Sequence, residues 1–354
     1  SLARIKKNIF AERINEDEKN KRYKKAQESS LIGVERDSSM YALAYANMRF
    51  HGDGKSNLFN CSSLLIDSYA PVDDSGKTYL NTDKIPLHEA LKEFGDIDIG
   101  MINPPYSLDK KDNSSMQEYP IVQRINEYKD KNKKFNKKLK DLRKKELTEQ
   151  ITAEISGIEE EIRANVAEIK DLEDTFTSSG MREVAIQKGQ DELDFIISIL
   201  HYLKIGGIGI AIVPMSCAGN SGTKLRTELL KYHTLLACMT MPSQLFFDSH
   251  VGTATCIMVF KAHIPHDVNK SVFFARWQDD GFKVIPHNGR KDTGSWNQIR
   301  KEWIEQMDGL AIPNDTIWLR HKININDEAL AEAYIKTDYS KLSDNDFEKT
   351  LKKH

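Results

Sequence analysis

The sequence predicts an α/β protein built around a largely parallel sheet. Apolar runs of strand length alternate with segments of helical periodicity, and proline or glycine punctuates the changes from one to the other. The strand signal recurs in residues 30–35 (SLIGVE), 57–59 (NLF), 96–102 (DIDIGMI), 208–214 (IGIAIVP), 235–242 (LLACMTMP) and 253–262 (TATCIMVFKA). With 354 residues, 39% of them hydrophobic, the chain is long enough for one large domain with an appendage or for two domains.

Taken in order, the elements have identifiable local causes. After the first run, Ser38 or Ser39 caps a helix that aligns Tyr41, Ala44, Tyr45 and Met48 on one face and stops at Gly52. The run at 96–102 must end at Asn103, because Pro104 and Pro105 each lack an amide hydrogen and hold φ fixed. This leaves an amide side chain, two proline carbonyls and the Tyr106 ring at a strand's carboxyl edge, where open α/β sheets bind ligands. Residues 191–207 repeat the helical pattern with Leu193, Ile196, Ile197, Leu200 and Leu203. Gly206, Gly207 and Gly209 then lie between helix and strand, which suits a tight turn and not a dinucleotide-binding loop.

Residues 119–176 break the alternation. Pro120 and Gly157 are the only proline and glycine there, and apolar residues recur at spacings of three and four: Ile121, Ile125, Tyr128, Phe135, Leu139 and Leu142, then Leu147, Ile151, Ile155, Ile158, Ile162, Val166, Ile169 and Leu172. The two sets are out of phase, which predicts two antiparallel coiled-coil helices with a turn near residues 143–150. Residues 124–145 hold eleven Lys or Arg against three acids, whereas 146–176 hold two against ten, so the arms should attract each other. Such a hairpin returns the chain to its starting point and can be inserted without disturbing a sheet. Its basic arm is either a solvated or partner-binding spike or a DNA contact.

A formal net charge of -2 provides no global attraction to nucleic acid or membrane, so any such contact must be local. Cys61, Cys217, Cys238 and Cys256 form no C-x-x-C pair and read as reduced thiols of a cytoplasmic protein. No apolar run approaches the ~18 residues of a membrane span. His250, His263 and His266 have no metal-ligand spacing, and no metal is expected.

Asn103-Pro104-Pro105-Tyr106 resembles the catalytic motif of methyltransferases acting on exocyclic or amide nitrogens. An aromatic amino group is a poor nucleophile because its lone pair is delocalised. Two acceptors, here the Asn103 side-chain oxygen and the Pro104 carbonyl, would localise that pair toward an electrophilic methyl group. The Tyr106 ring could stack on a base turned out of a duplex.

The surrounding segments narrow the resemblance. Residues 33–52 (GVERDSSMYALAYANMRFHG), 57–65 (NLFNCSSLL), 192–214 and 223–261 are similar, in family order, to segments of the modification subunits of type I restriction-modification systems, which are N6-adenine DNA methyltransferases. Residues 273–292 and 332–342 resemble segments found beyond the catalytic core of those subunits. The resemblance implies a Rossmann-like methyltransferase sheet, S-adenosylmethionine as cofactor, and double-stranded DNA, a specificity subunit and, where one exists, a restriction subunit as partners. It places Glu35, with Arg36 beside it, at the ribose hydroxyls of the cofactor, and Cys61 and Ser62 near its adenine, where the family commonly carries Asp. It divides the chain into a first part of the core (1–118), the coiled-coil hairpin (119–179), a second part of the core (180–264) and a C-terminal extension (265–354).

The family's glycine-rich cofactor motif has no counterpart in residues 1–30. The chain is therefore expected to be a fragment beginning just after that loop, lacking the strand between those ending at Glu35 and Asn103, and inactive alone. Two other readings stay open: a protein-glutamine methyltransferase, which faces the same lone-pair problem, and a non-catalytic module docking specificity or nuclease subunits through the hairpin. Trp277, Trp296, Trp303, Arg290 and Lys291 either face DNA or pack the extension onto its domain.

Overall fold

The computed structural model describes residues 2–51, 57–63, 69–71, 84–104, 120–144, 148–177, 191–242, 244–246, 254–285, 289–311, 314–337, 339 and 343–351. The chain divides into two compact units, residues 1–97 with 110–189, and residues 98–109 with 190–354.

The first unit opens with helices α1 (Leu2–Ala11) and α2 (Glu16–Ser29), the second capped by Asn15, whose side chain accepts from the Glu18 amide at 2.8 Å. Strand β1 (Gly33–Val34) pairs in parallel with β2 (Leu58–Phe59), and helix α3 (Ser38–Phe50) connects them. The cap of α3 is Asp37, which accepts from the Met40 amide at 2.8 Å, in place of the expected Ser38 or Ser39. A carboxylate at a helix N-terminus also complements the helix dipole. The expected stop at Gly52 lies outside the described residues. Strands β3 (Tyr69–Pro71) and β4 (Lys84–Pro86) form an antiparallel pair, followed by helix α4 (Leu87–Lys92).

Helices α5 (Pro120–Leu142) and α6 (Glu149–Thr177) complete this unit and pack together. Leu139, Leu142 and Ile158 are buried between them, with Phe135, Ile155 and Ile162 alongside. Ion pairs Lys138–Glu154 and Arg143–Glu159, both 2.7 Å, join the oppositely charged arms. Val166, assigned to the apolar seam by its spacing, is instead 54% exposed. Its neighbour Asn165 is turned inward and donates to the Asn132 side chain across the helix pair at 2.8 Å. None of the described helices is long and apolar enough to cross a membrane.

The second unit is organised by a six-stranded sheet. Its strands are β5 (Ile99–Ile102), β6 (Ile208–Pro214), β7 (Thr234–Thr240), β8 (Thr255–Lys261), β9 (Ser271–Arg276) and β12 (Trp318–Lys322), in the spatial order β12-β9-β7-β8-β6-β5. Between β9 and β12 run a separate hairpin, β10 (Phe282–Ile285) with β11 (Gly289–Asp292), and a helix at residues 296–307. Pairings β5–β6 and β7–β9 are parallel, whereas β6–β8, β7–β8 and β9–β12 are antiparallel. The expectation of a largely parallel sheet is therefore corrected to a mixed one. A parallel return needs a crossover, usually a helix, and the described residues between β7 and β8 contain none, so β8 enters antiparallel.

Helix α7 (Asp191–Tyr202) covers one face of β5 and β6 with Leu193, Ile196, Ile197 and Leu200, all buried. The approach is close: a Cβ on Gly100 would meet Ile199 at 2.6 Å, and one on Gly209 would meet Leu200 at 2.6 Å. Gly206 adopts φ +81, where glycine is favoured, and the Gly207 amide closes the turn on the Lys204 carbonyl at 2.9 Å. After β6 the chain makes a single helical turn, α8 (Met215–Ala218), then helix α9 (Thr223–Tyr232). The helix at 296–307 is α10 (Trp296–Met307), and α11 (Asp344–Leu351) is the last element.

Candidate active site

In the second unit, strands β5, β6, β7 and β9 run in one direction, so their carboxyl ends share one edge of the sheet. At this edge β5 stops as its prolines require: Ile102 pairs with Ala211, Asn103 follows exposed, and Pro104 is buried. Pro105 and Tyr106 lie outside the described residues. The base of β5 is tied by the Ile208 amide, which donates to the Asp98 carbonyl at 2.8 Å, and by an ion pair between Asp98 and Lys204.

The rest of the edge is held by backbone bonds between strand ends. The Met215 amide donates to the Ala254 carbonyl at 3.0 Å, the Met241 amide to the Thr255 carbonyl at 2.9 Å and the Trp277 amide to the Thr240 carbonyl at 2.7 Å. The Thr240 hydroxyl donates to Glu332 at 2.8 Å, and Glu332 in turn faces Arg276 at 3.6 Å. Beneath the turn after β6, Arg226 is fully buried and donates to the carbonyls of Cys217 (3.1 Å), Gly219 (2.9 Å) and Asp327 (2.9 Å). Nothing in a lone "KLRTELL" marks this arginine in advance; its role emerges only when residue 327 is brought to it.

In the first unit, Glu35 directly follows β1. Its backbone amide donates to the Phe59 carbonyl at 2.9 Å, and its carboxylate accepts from the Asp37 amide at 2.8 Å. Asn60, at the end of β2, donates to the Glu35 carbonyl at 2.8 Å and to the Arg36 carbonyl at 3.1 Å, and accepts from the Ser38 hydroxyl at 3.2 Å. The two strand ends thus bring Glu35, Arg36, Cys61 and Ser62 into one neighbourhood, with Arg36 exposed and the other three half-buried. Burial pushes the Cys61 thiol up to about 12, so the group is a neutral thiol and not a thiolate. Asn60 carries the local geometry without having been singled out from sequence, because its partners lie 24 and 25 positions away.

A carboxylate has capacity for about four hydrogen bonds, so one backbone amide on Glu35 leaves room for the two hydroxyls of a ribose diol. Ser62 brings a hydroxyl, able to donate and accept, where a carboxylate would only accept. The donor set at these strand ends fits a nucleoside, more fully on its ribose side than on its base side.

His263 and His266 are structural. The ring Nε2 of His263 donates to the Leu203 carbonyl (2.9 Å) and that of His266 to the Ile323 carbonyl (3.2 Å). His250 lies outside the described residues. Of the C-terminal aromatic and basic residues, Trp303 is buried in the cluster of Ala237, Met239, Phe273, Ala275 and Trp318, and Trp277 packs on it at 4.5 Å between ring centroids. Arg290 is engaged internally by the Leu245 carbonyl (2.9 Å) and Asp280. Trp296, stacked on Trp277, and Lys291 remain exposed.

The family model described as N-6 DNA Methylase matches residues 164–354. A curated relative, the type II restriction enzyme and methyltransferase RM.BcgI of Heyndrickxia coagulans, is 34% identical over 163 residues, which are 45% of this chain and 25% of that protein. A solved structure of a type I restriction-modification system, described by its complex assembly and conformational transition, shares the fold with TM-score 0.50 at 14% identity, covering 97% of this chain and 54% of that one. The type I methyltransferase subunit of Streptococcus thermophilus aligns with TM-score 0.47 at 16% identity, over 86% of this chain and 48% of that one. The chain spans about a quarter of the curated relative and about half of each structural one.

Proposed function

Because the chain belongs to the N-6 DNA methylase family, we propose that the protein is the modification subunit of a type I restriction-modification system, methylating adenine N6 in double-stranded DNA. The observation that carries this reading is the Asn103-Pro104 corner, an exposed amide beyond the last residue of the edge strand β5, whose extension proline forbids. In the proposed reaction the Asn103 side-chain oxygen and the Pro104 carbonyl accept the hydrogens of the adenine amino group and localise its lone pair. Tyr106 stacks on the extruded base. S-adenosylmethionine supplies a methyl group already activated by the sulfonium charge. Glu35 holds the ribose hydroxyls, Arg36 flanks it, and Cys61 and Ser62 line the adenine side. No metal is required, because the leaving group needs no further activation.

Family membership favours DNA over a protein glutamine as substrate. Helices α5 and α6 are proposed as a coiled-coil insertion within residues 119–179, between core segments 1–118 and 180–264, with 265–354 as an extension that adds strands to the sheet. A specificity subunit is the proposed source of sequence selection.

The test is Asn103→Ala in the full-length protein assembled with its partners. A loss of about 10²-fold or more in methyl transfer, with assembly retained, is expected from removal of one acceptor that acts in the transition state. Full turnover by the variant would reject the catalytic assignment and leave the docking-module reading.

A further inference from the structure

The geometry points to the β10–β11 hairpin as a second contact with the DNA backbone, in which Lys283 and Lys291 together hold phosphate about half a helical turn from the proposed base-extrusion site. This goes beyond the reading above and rests on it for the identity of the polyanion.

The hairpin register places Lys283 directly opposite Lys291. Opposed residues on an antiparallel pair have Cβ atoms about 5 Å apart, and like charges so placed are destabilising unless an anion lies between them. Both lysines are exposed, and no ion pair engages either among the described residues. None of the nearby acids forms an ion pair with either lysine among the described residues. Asp280 pairs with Arg290, Asp279 accepts from the Gly281 amide at 2.8 Å, and Asp292 accepts from the Gly294 amide at 2.8 Å.

The alternate face of the hairpin is fastened down. Arg290 lies over the Phe282 ring at 4.9 Å and donates to the Leu245 carbonyl in the segment after β7. At its base, Thr293 bonds the Gly281 carbonyl through both its amide (2.8 Å) and its hydroxyl (2.7 Å). A Cβ on Gly281, whose φ is +83, would meet the Trp296 backbone at 3.2 Å. A charged pair repelling itself on a fixed support is a pre-organised anion site, since little ordering entropy is lost on binding.

Its position matches a duplex. The hairpin follows the carboxyl end of β9, on the same sheet edge as Asn103, and four strand spacings separate β9 from β5. At roughly 4.8 Å each these amount to about 19 Å, close to half of the ~34 Å helical turn of DNA. A base extruded at Asn103 would place phosphates about half a turn along the duplex within reach of the lysine pair.

The experiment uses the full-length protein in its assembly and compares wild type, K283Q/K291Q and K283E/K291E. Duplex affinity is measured across a salt series, alongside methyl transfer at saturating DNA and retention of partner subunits. Two lost phosphate contacts should flatten the slope of log K against log salt by about 2, with turnover at saturating DNA unchanged. Lys270→Glu, at the amino end of β9 on the opposite edge, should leave the slope as in wild type. An unchanged slope in the charge-reversal variant, while wild type still binds and methylates DNA, would overturn the hairpin assignment alone. Loss of partner subunits with DNA affinity intact would overturn it in favour of an acidic protein surface. Failure of the wild-type assembly to methylate DNA would remove the functional reading and this inference with it.

Discussion

Arg226 shows how one side chain can hold two distant parts of the chain. Fully buried, it satisfies carbonyls of the turn after β6 and of residue 327, a hundred positions downstream. Truncation to methionine would keep most of the apolar stem and orphan three buried acceptors, each costing about 1–3 kcal/mol unless relieved by water. Arg226→Met should therefore lower unfolding free energy by on the order of 3 kcal/mol, read from the urea midpoint, and expose residues 327–335 to proteolysis. Cys61 permits a second test at this scale. With its thiol pushed up to about 12, it should react with iodoacetamide at pH 7.5 far more slowly than a free peptide cysteine. Labelling at the peptide rate would mean that the strand ends around Glu35 open readily.

At the level of elements, legibility followed how much of an element's cause is local. Strand β6 occupies the expected 208–214, because Gly207 and Pro214 bound a run buried in the sheet. The run at 30–35 reduces to Gly33–Val34, which pairs only with the two residues of β2 among the described strands. β9 and β12 were not anticipated as sheet members: Arg320, His321 and Lys322 give β12 no apolar alternation, and its position is fixed by pairing with β9. Asn103 and Pro104 were placeable because proline chemistry acts on the adjacent residue. Asn60 was not, because its partners arrive through strand pairing. In the α5–α6 pair, the polar Asn132–Asn165 contact takes the inward position in place of Val166, and a half-buried amide pair of this kind favours one register at a cost in stability. Replacing both by leucine should raise the melting temperature of the helical hairpin by several degrees while broadening its association states in light scattering. Unchanged stability and a single state would show that the amides do not set the register.

The whole second unit depends on segments beyond β8 being held against the sheet, and His266 is one of the points of attachment. Its amide donates to the Leu230 carbonyl at the end of α9 (3.0 Å), and its ring Nε2 donates to the Ile323 carbonyl just past β12. Ring Nδ1 is buried with no hydrogen-bond partner among the described residues, so a proton added there would have no acceptor. Burial lowers the imidazole below its ordinary value of 6.5, against the opposing pull of the Ile323 carbonyl and the Asp267 carboxylate. Between the lowered folded-state value and 6.5 the unfolded chain binds more protons, so stability rises with pH through that window. The stabilisation is complete above about 6.5 and is lost as the pH falls. Urea midpoints measured from pH 8 to pH 5 should decline on the acid side. His266→Gln retains a donor for Ile323 but cannot titrate, and its profile should be flatter over the same interval. An acid limb as steep in the variant as in wild type would assign the pH dependence to other groups and leave His266 as a packing residue only.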